Sequence, residues 1–154
     1  MLTRSVLNRS GVAAVTAAGL LTLAMAAPTA ATKSVPGTTT GSASVFMVNP
    51  IQSSGNQALS DNKDSASAVP ASEYATVPMR NLDGSGYLKG SWVQVQSATG
   101  TPAFSSTNTF NYNRHQDQFE QVMGYFWVNQ AQEYLQSLGF GTTYPGIVQQ
   151  QFIV

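Results

Sequence analysis

One amphipathic segment near the C-terminus constrains the fold of this chain more than any other feature. Its large apolar residues recur at intervals of three and four, the period of a helix with a buried face: Phe119, Val122, Met123, Phe126, Trp127, Ala131, Tyr134, Leu135 and Leu138. Asp117, with a glutamate three residues later, has the spacing of a capping box. Gly139 can take the left-handed turn that ends a helix, with Phe140 folding back onto Leu135. The pattern predicts a helix over residues 118–138, about 32 Å long at 1.5 Å per residue.

The chain before this helix begins with a short β-prone segment and a long polar stretch. Residues 44–48 predict a first strand, which the Asn49-Pro50 pair ends because proline cannot donate to a β-ladder. We interpret it as an edge strand. Residues 52–72 are small and polar and follow neither structural period, so they predict a long surface loop.

Alternation of apolar and polar residues resumes after this loop. Residues 74–79 and 87–95 predict two paired strands, joined by an Asp-Gly turn at Asp83. Residues 108–113 predict one more strand, and Trp92 is expected to pack against a half-buried sheet. The predicted class is therefore α+β: a few short antiparallel strands with long loops, followed by one long C-terminal amphipathic helix. Few large aliphatic residues precede the helix, so its aromatic face is expected to be incompletely covered, as in an incomplete domain.

The N-terminus has the layout of a secretory signal peptide over residues 1–26. Arg4 and Arg9 precede an apolar run that ends in a small-x-small triplet at Ala26. The run is too short and too diluted by Gly and Thr to cross a bilayer, which takes roughly 20 apolar residues. We expect cleavage near Ala26, secretion to the extracellular space, and no stable membrane anchor after cleavage.

The remainder divides into a flexible leader over residues 27–43 and a folded part over residues 44–154. The leader contains almost nothing that could enter a core. Chains with this layout and no cysteine are common among bacterial exported proteins, which favours a bacterial source.

Composition excludes several classes of function. Seven basic residues balance seven acidic ones, so the chain lacks the basic excess that nucleic-acid binding requires. The absence of cysteine excludes disulfides, thiolate metal sites and thiol nucleophiles. A single histidine excludes any mechanism that needs two imidazoles within this sequence.

No residue combination indicates nucleophilic catalysis. His115 stands two residues before Asp117, but a partly exposed polar residue at a strand-to-helix corner is the favoured interpretation over a general base. Ser85 lies between Gly84 and Gly86 without the outer glycine spacing of a nucleophile elbow, and it follows a turn signal.

The carboxylates do not form a site either. Glu120 and Glu133 would lie nearly 20 Å apart along one helix, farther than the roughly 10 Å that separates a glycosidase pair. Asp61 and Asp64 supply too few ligands for calcium, and a solvated loop is favoured there. The sequence thus predicts no catalytic residue, no cofactor-binding residue and no metal ligand in this chain.

Three phrases of the sequence carry a family resemblance. The first contains Val45-Phe46 with Asn49-Pro50, the second spans residues 77–90, and the third is the helix of residues 119–140. In this order they resemble the region upstream of the zinc site in bacterial secreted zinc metallopeptidases of the thermolysin and fungalysin type. The resemblance covers about residues 44–145. In that family an H-E-x-x-H helix binds the zinc, and its glutamate acts on the metal-bound water.

This sequence departs from the family at that motif, because it contains one His and no H-E-x-x-H. The resemblance therefore implies a non-catalytic N-terminal portion of a metallopeptidase-like protein, without a cofactor of its own and inactive as this chain. Its expected partner is the missing catalytic half, and the blunt end at Val154 fits a strand cut short. Two alternatives stay open. One is a small exported binding or adhesion module, in which Tyr87, Trp92 and the helix aromatics contact glycans or proteins. The other is a propeptide-like fragment that docks on a separate peptidase.

Overall fold

The computed structural model of the protein describes most of the chain beyond the predicted leader. The described residues are 39–60, 62, 64–98, 100–141, 143–144 and 151–154. The predicted signal peptide, its cleavage site at Ala26 and most of the leader lie outside the described residues. No helix in the described part of the chain is both long and apolar enough to cross a membrane.

Short strands and one long helix make up the described fold, which confirms the α+β class. In chain order the elements are β1 (Thr39–Val45), α1 (Pro50–Ser54), a 3-10 turn (Ala71–Glu73), β2 (Ala75–Leu82), β3 (Val93–Gln94), β4 (Thr109–Phe110), α2 (Asp117–Ser137) and β5 (Phe152–Ile153). The loop predicted over residues 52–72 is shorter than expected, because Gln52–Ser54 belong to α1 and Ala71 and Ser72 belong to the 3-10 turn. Between these two elements the described residues contain neither helix nor strand.

β1 corrects two predictions. It begins at Thr39, inside the stretch assigned to the flexible leader, and it is the central strand of a sheet with the order β2-β1-β4, not an edge strand. β2 pairs with it antiparallel and β4 pairs with it parallel. Close backbone packing explains the small residues here: the Ser42 amide donates to the Asn108 carbonyl at 2.9 Å, and a side chain at Gly41 would collide with that carbonyl.

A second, smaller sheet joins β3 to β5 in parallel, with Val93 opposite Phe152. Within the segment predicted as one strand over residues 87–95, a strand forms only at β3 (Val93–Gln94). The remainder of the segment forms isolated bridges, Leu82 with Gly90 and Tyr87 with Phe104. Antiparallel pairing is present between β1 and β2, but the predicted pairing of residues 74–79 with residues 87–95 is wrong: β3 pairs in parallel with β5, and β2 meets the 87–95 segment at the isolated Leu82–Gly90 bridge. β4 pairs in parallel with β1.

The helix α2 matches the predicted element to within one residue at each end. Its N-cap is Gln116, which makes no side-chain cap hydrogen bond, so the capping role predicted for Asp117 is wrong. Asp117 lies in the first turn instead, where its carboxylate still interacts favourably with the helix dipole. Its C-terminal cap is confirmed. Gly139 has φ +93°, its amide donates to the Gln136 carbonyl at 2.9 Å, and the Phe140 amide donates to a carbonyl one turn back at 3.3 Å.

One apolar core lies between the sheet of β1, β2 and β4 and the helix α2. Its largest fully buried side chains come from each of these elements: Met79 and Leu82 from β2, Val45 from β1, Phe110 from β4, and Tyr125 and Val122 from α2. Trp92 is partly buried and packs against this core, as the sequence predicts.

The helix aromatics divide between the core and the surface. Tyr125 and Phe126 are buried at 0% and 4% exposure. Trp127, Tyr134 and Leu138 are 42%, 64% and 51% exposed, so the rest of the described chain covers the aromatic face only in part.

Candidate functional site

The two residues that the sequence raises as possible catalytic groups, His115 and Ser85, lie in separate parts of the surface. His115 is at the surface, where its Nδ1 lies 2.9 Å from the Asp64 carbonyl and 3.9 Å from the Asp64 carboxylate. Ser85 lies in the turn after β2, where its amide donates to the Asp83 carboxylate at 2.9 Å. Among the residues that the structure describes, no three His, Cys, Asp or Glu side chains come together as a metal site.

A polar cluster joins β2 to the C-terminal half of α2. The Arg80 guanidinium donates through Nε to both carboxylate oxygens of Glu133, at 3.0 and 3.1 Å, and through Nη2 to the Gln130 amide oxygen at 2.7 Å. The Asn81 amide donates to Glu133 at 2.7 Å and to the buried Asn129 at 3.1 Å. Each carboxylate oxygen of Glu133 therefore accepts hydrogen bonds. We call this cluster the clasp; it consists of Arg80, Asn81, Asn129, Gln130 and Glu133 and links the strand to the helix.

The clasp shifts the ionisation of its members. Partial burial by itself raises the pKa of Glu133. The hydrogen bond and the charge of Arg80, together with the hydrogen bonds of Asn81 and Asn129, outweigh burial and lower that pKa. The Glu133 hydrogen bond in turn raises the pKa of Arg80. Both groups are held in their charged forms, as in a structural ion pair.

Tyr125 extends the clasp into the core. Its hydroxyl donates to the Arg80 carbonyl at 3.0 Å, and burial, with the charges of Asp83 and Glu133, raises its pKa well above the ordinary value. The hydroxyl therefore stays protonated and serves as a hydrogen-bond donor in the packing.

A small cleft lies at the N-terminal end of α2. It has a volume of about 250 Å³ and apolar walls that include Phe46, Leu59 and Phe119. Arg114 and Glu120 are also in its lining, and the Arg114 guanidinium donates to the Ser60 carbonyl at 3.2 Å. The volume is below the range of about 300–1,000 Å³ usual for small-molecule sites, so the cleft has room for little more than one apolar side chain.

One side of α2, the outer stripe, is only partly covered by the described part of the chain. We use this name for Gly124, Trp127, Ala131, Tyr134 and Leu138, which follow one another at intervals of three and four. At 100° per residue these positions share one side of the helix, opposite the side that buries Val122, Tyr125 and Asn129. The stripe carries no charge, and it resembles the seam by which one helix packs on another.

Comparisons with known proteins give no relative. Neither the models of known protein families, nor the curated proteins, nor the solved structures contain a match to this chain.

The sequence pattern located the stripe only in part. It placed Trp127, Tyr134 and Leu138 on the predicted helix together with the core residues, because a helix with apolar residues over a wide arc does not show which side meets the sheet. The missing signal was the position of the small residues. Gly124 and Ala131 lie on the outer side, whereas the inner side carries large residues.

The clasp was not predicted from the sequence. Glu133 was considered there only as one member of a catalytic pair with Glu120. Arg80 lies 53 residues before Glu133 along the chain, so only the packing of β2 on α2 brings the two together.

Proposed function

We propose that this chain is a non-catalytic N-terminal portion of a secreted zinc metallopeptidase-like protein, without an H-E-x-x-H site of its own. The observation that supports the proposal is that the three phrases of the resemblance, far apart in the sequence, pack together. A segment that served only as a linker would have no reason to contact the other two.

The contacts between the phrases are specific. The rings of Phe46, from the first phrase, and Phe119, from the third, meet edge to face with their centres 4.7 Å apart. The Tyr125 hydroxyl of the third phrase donates to the Arg80 carbonyl of the second. Gly90, at the end of the second phrase, lies where a larger residue would collide with Tyr125.

The proposal assigns the zinc and its ligands to polypeptide outside this sequence. One histidine and no cysteine leave this sequence without a family-type ligand set. Its part would be to hold the packed unit of β1, β2 and α2 against which a catalytic segment folds.

Complementation tests the proposal. The chain is mixed with a separately produced catalytic polypeptide from a bacterial thermolysin- or fungalysin-type peptidase that carries H-E-x-x-H but lacks the corresponding upstream region. We expect cleavage of a peptide substrate in the mixture only, abolished by a zinc chelator and restored by zinc. The matched control is Gly90→Ala, which disturbs the junction of the second and third phrases and should not complement.

Two outcomes would contradict the proposal. If the folded chain fails to bind the zinc-loaded catalytic polypeptide, the chain is not its upstream part. If the chain instead inhibits an intact peptidase of this type, the propeptide-like role is favoured.

A second candidate function is an exported binding module. Tyr87 and Phe104 favour it: both are half exposed, with ring centres 4.9 Å apart, next to Gly86. Exposed aromatic rings are a common surface for protein partners and sugars. Binding of glycans or a protein partner that is lost in Tyr87→Ala and kept in Tyr112→Phe would support this role over the first.

A further inference from the structure

The turn after β2 contains Asp83-Gly84, the only pair in the sequence in which glycine follows aspartate or asparagine. Both residues are exposed, and they belong to neither a helix nor a strand. An aspartate side chain can close onto the next peptide nitrogen to form a five-membered succinimide ring. A following glycine offers the least steric hindrance to this closure, because it has no Cβ and its backbone is free to turn.

The Gly84 nitrogen is the attacking group, and it is not tied up. Among the described residues no hydrogen bond uses its N–H, whereas the amides on both sides are engaged. The Asp83 amide donates to the Lys89 carbonyl at 2.9 Å, and the Ser85 amide donates to the Asp83 carboxylate at 2.9 Å. Gly84 has φ +82°, and a Cβ there would meet only the Thr39 hydroxyl oxygen. The Gly84 nitrogen can therefore give up its proton to water without breaking a hydrogen bond of the fold.

The Asp83 carboxyl group, which is attacked, is held over the Gly84 peptide. Its Oδ1 accepts from the Ser85 amide, one residue beyond Gly84, so the side chain is folded forward along the chain. Its Oδ2 lies 3.9 Å from the Lys89 ammonium group. A donated N–H and a nearby positive charge both stabilise the negative charge that develops on these oxygens when the carboxyl carbon is attacked.

We propose that Asp83-Gly84 is a site of spontaneous isoaspartate formation in the folded protein. The Gly84 nitrogen forms a bond to the side-chain carboxyl carbon of the protonated Asp83. The carboxyl hydroxyl leaves with the proton of the nitrogen, as water. A water molecule then opens the ring: attack at the former backbone carbonyl gives isoaspartate, and attack at the former side-chain carbonyl restores aspartate. The reaction requires no enzyme, metal or oxidant, and the inference does not depend on the proposed function.

The modification would act on a tightly packed junction. Isoaspartate lengthens the backbone by one methylene group and leaves the carboxylate on the α-carbon. The turn at Asp83 holds the end of β2 against the next segment through the Lys89 carbonyl and the Leu82–Gly90 bridge. Gly90 in turn lies so close to the Tyr125 hydroxyl that a side chain there would collide with it. We therefore expect the isoaspartyl form to have a lower unfolding midpoint than the unmodified chain.

Timed incubation of the full chain, at mildly acid pH and below its unfolding midpoint, tests the proposal. Isoaspartate is measured by enzymatic methylation and located by mass spectrometry of peptides. It should accumulate at position 83 about tenfold faster than at Asp64 and Asp117, which precede serine and glutamine, because those side chains hinder attack. A transient species lighter by one water should appear at the same position. An equal rate at all three aspartates, or no such species, would overturn the proposal.

Two substitutions separate the chemistry from the position. Asp83→Glu keeps the carboxylate but can close only to a six-membered ring, so the isoaspartate signal at this position should be lost. Asp83→Asn closes to the same ring with ammonia as the leaving group, and it should form isoaspartate faster than the wild type. Persistence of the signal in Asp83→Glu, or an unchanged rate in Asp83→Asn, would contradict the succinimide route.

The contribution of the fold is measured by repeating the incubation with the full chain unfolded in urea. We expect the folded chain to react at least as fast, because the turn already holds the carboxyl group over the Gly84 peptide. A folded chain that reacts much more slowly would show that the turn protects the pair, which overturns the proposal. The isoaspartyl form, separated by chromatography, is then unfolded by heat; a midpoint equal to that of the unmodified chain would contradict the expected effect on the junction.

Discussion

At the scale of single residues, Gly90 fixes the junction between the loop after β2 and the helix α2. The space that a Cβ would need there is occupied by the Asn81 carbonyl and the Tyr125 hydroxyl. Asn81 itself has φ +63°, and its side chain holds Asn129 and Glu133. Asn81 therefore takes part in both features: its carbonyl lies against Gly90, and its side chain belongs to the clasp.

Gly90→Ala should destabilise the protein by about 3 kcal/mol, because the backbone of β2 or the buried Tyr125 must move to admit a methyl group. Gly124→Ala is the matched control, since a Cβ there meets the Val154 side chain at an ordinary contact distance of 3.9 Å, and it should stabilise by about 0.5–1 kcal/mol. Urea unfolding at low protein concentration measures both. Equal effects of the two substitutions would contradict the close approach at Gly90.

Glu133→Gln should cost about 1 kcal/mol near pH 7, an amount kept small by the partial exposure of Arg80. The pKa of Glu133 is lowered in the folded protein from its ordinary value of 4.5, so its stabilisation is complete above that pH and disappears as the pH falls through 4.5 and below. The difference in unfolding free energy between wild type and variant should therefore shrink in acid. Glu120→Gln, at an exposed position, should show neither effect; a difference for Glu133→Gln that is constant down to pH 3 would contradict the clasp.

At the scale of elements, the two ends of α2 are fixed differently. The N-terminal end has no side-chain cap, whereas the C-terminal end closes through Gly139 and the turn that follows. The C-terminal turn therefore specifies where the helix ends, and through it where the outer stripe stops at Leu138.

Gly139→Ala should destabilise by about 1 kcal/mol, because its φ of +93° lies in the region that L-residues avoid. Gly139→Asn should cost less, since asparagine tolerates the left-handed conformation best among the non-glycine residues. Thermal unfolding of the two variants at one pH gives the order. If alanine is tolerated as well as asparagine, the conformation of Gly139 is not what ends the helix.

The sequence predicted α2 far better than the strands. The three- and four-residue spacing of apolar residues continues over many positions and therefore indicates the helix, and Gly139 indicates where it ends. β1 contains Gly41 and Ala43 instead of large apolar residues, because neighbouring backbones approach it closely, and such a strand has no hydrophobic signature. The parallel pairing of β4 and β5 depends on partners far along the chain, which local patterns do not report.

The candidate site was predictable to a smaller extent. That Trp127 and Tyr134 belong to one helix follows from their spacing, but their exposure follows from which side of α2 meets β1 and β2. The clasp of Arg80 and Glu133 needed the tertiary fold, since the two residues are 53 positions apart in the chain.

At the scale of the whole molecule, the chain is expected to bind no zinc stoichiometrically. A protein zinc site needs at least three ligands, and this sequence offers one imidazole and no thiolate. Metal analysis after dialysis against a mild chelator measures this. One tightly held zinc per chain would contradict the expectation and would require carboxylate ligands.

The parallel pairing of β1 with β4 and of β3 with β5 also has a consequence for when the fold can form. The side chains of Ser44 and Asn111, which meet beside the first pairing, are 67 residues apart, and Gln151 reaches the Gly90 carbonyl across 61 residues. During synthesis, β1 and β3 must therefore wait for partners that leave the ribosome much later. At about 5–20 residues per second, that delay lasts several seconds. Over this interval the nascent chain has open strand edges and a helix still to be made, so we expect neither parallel pairing to form until its later strand has been synthesised.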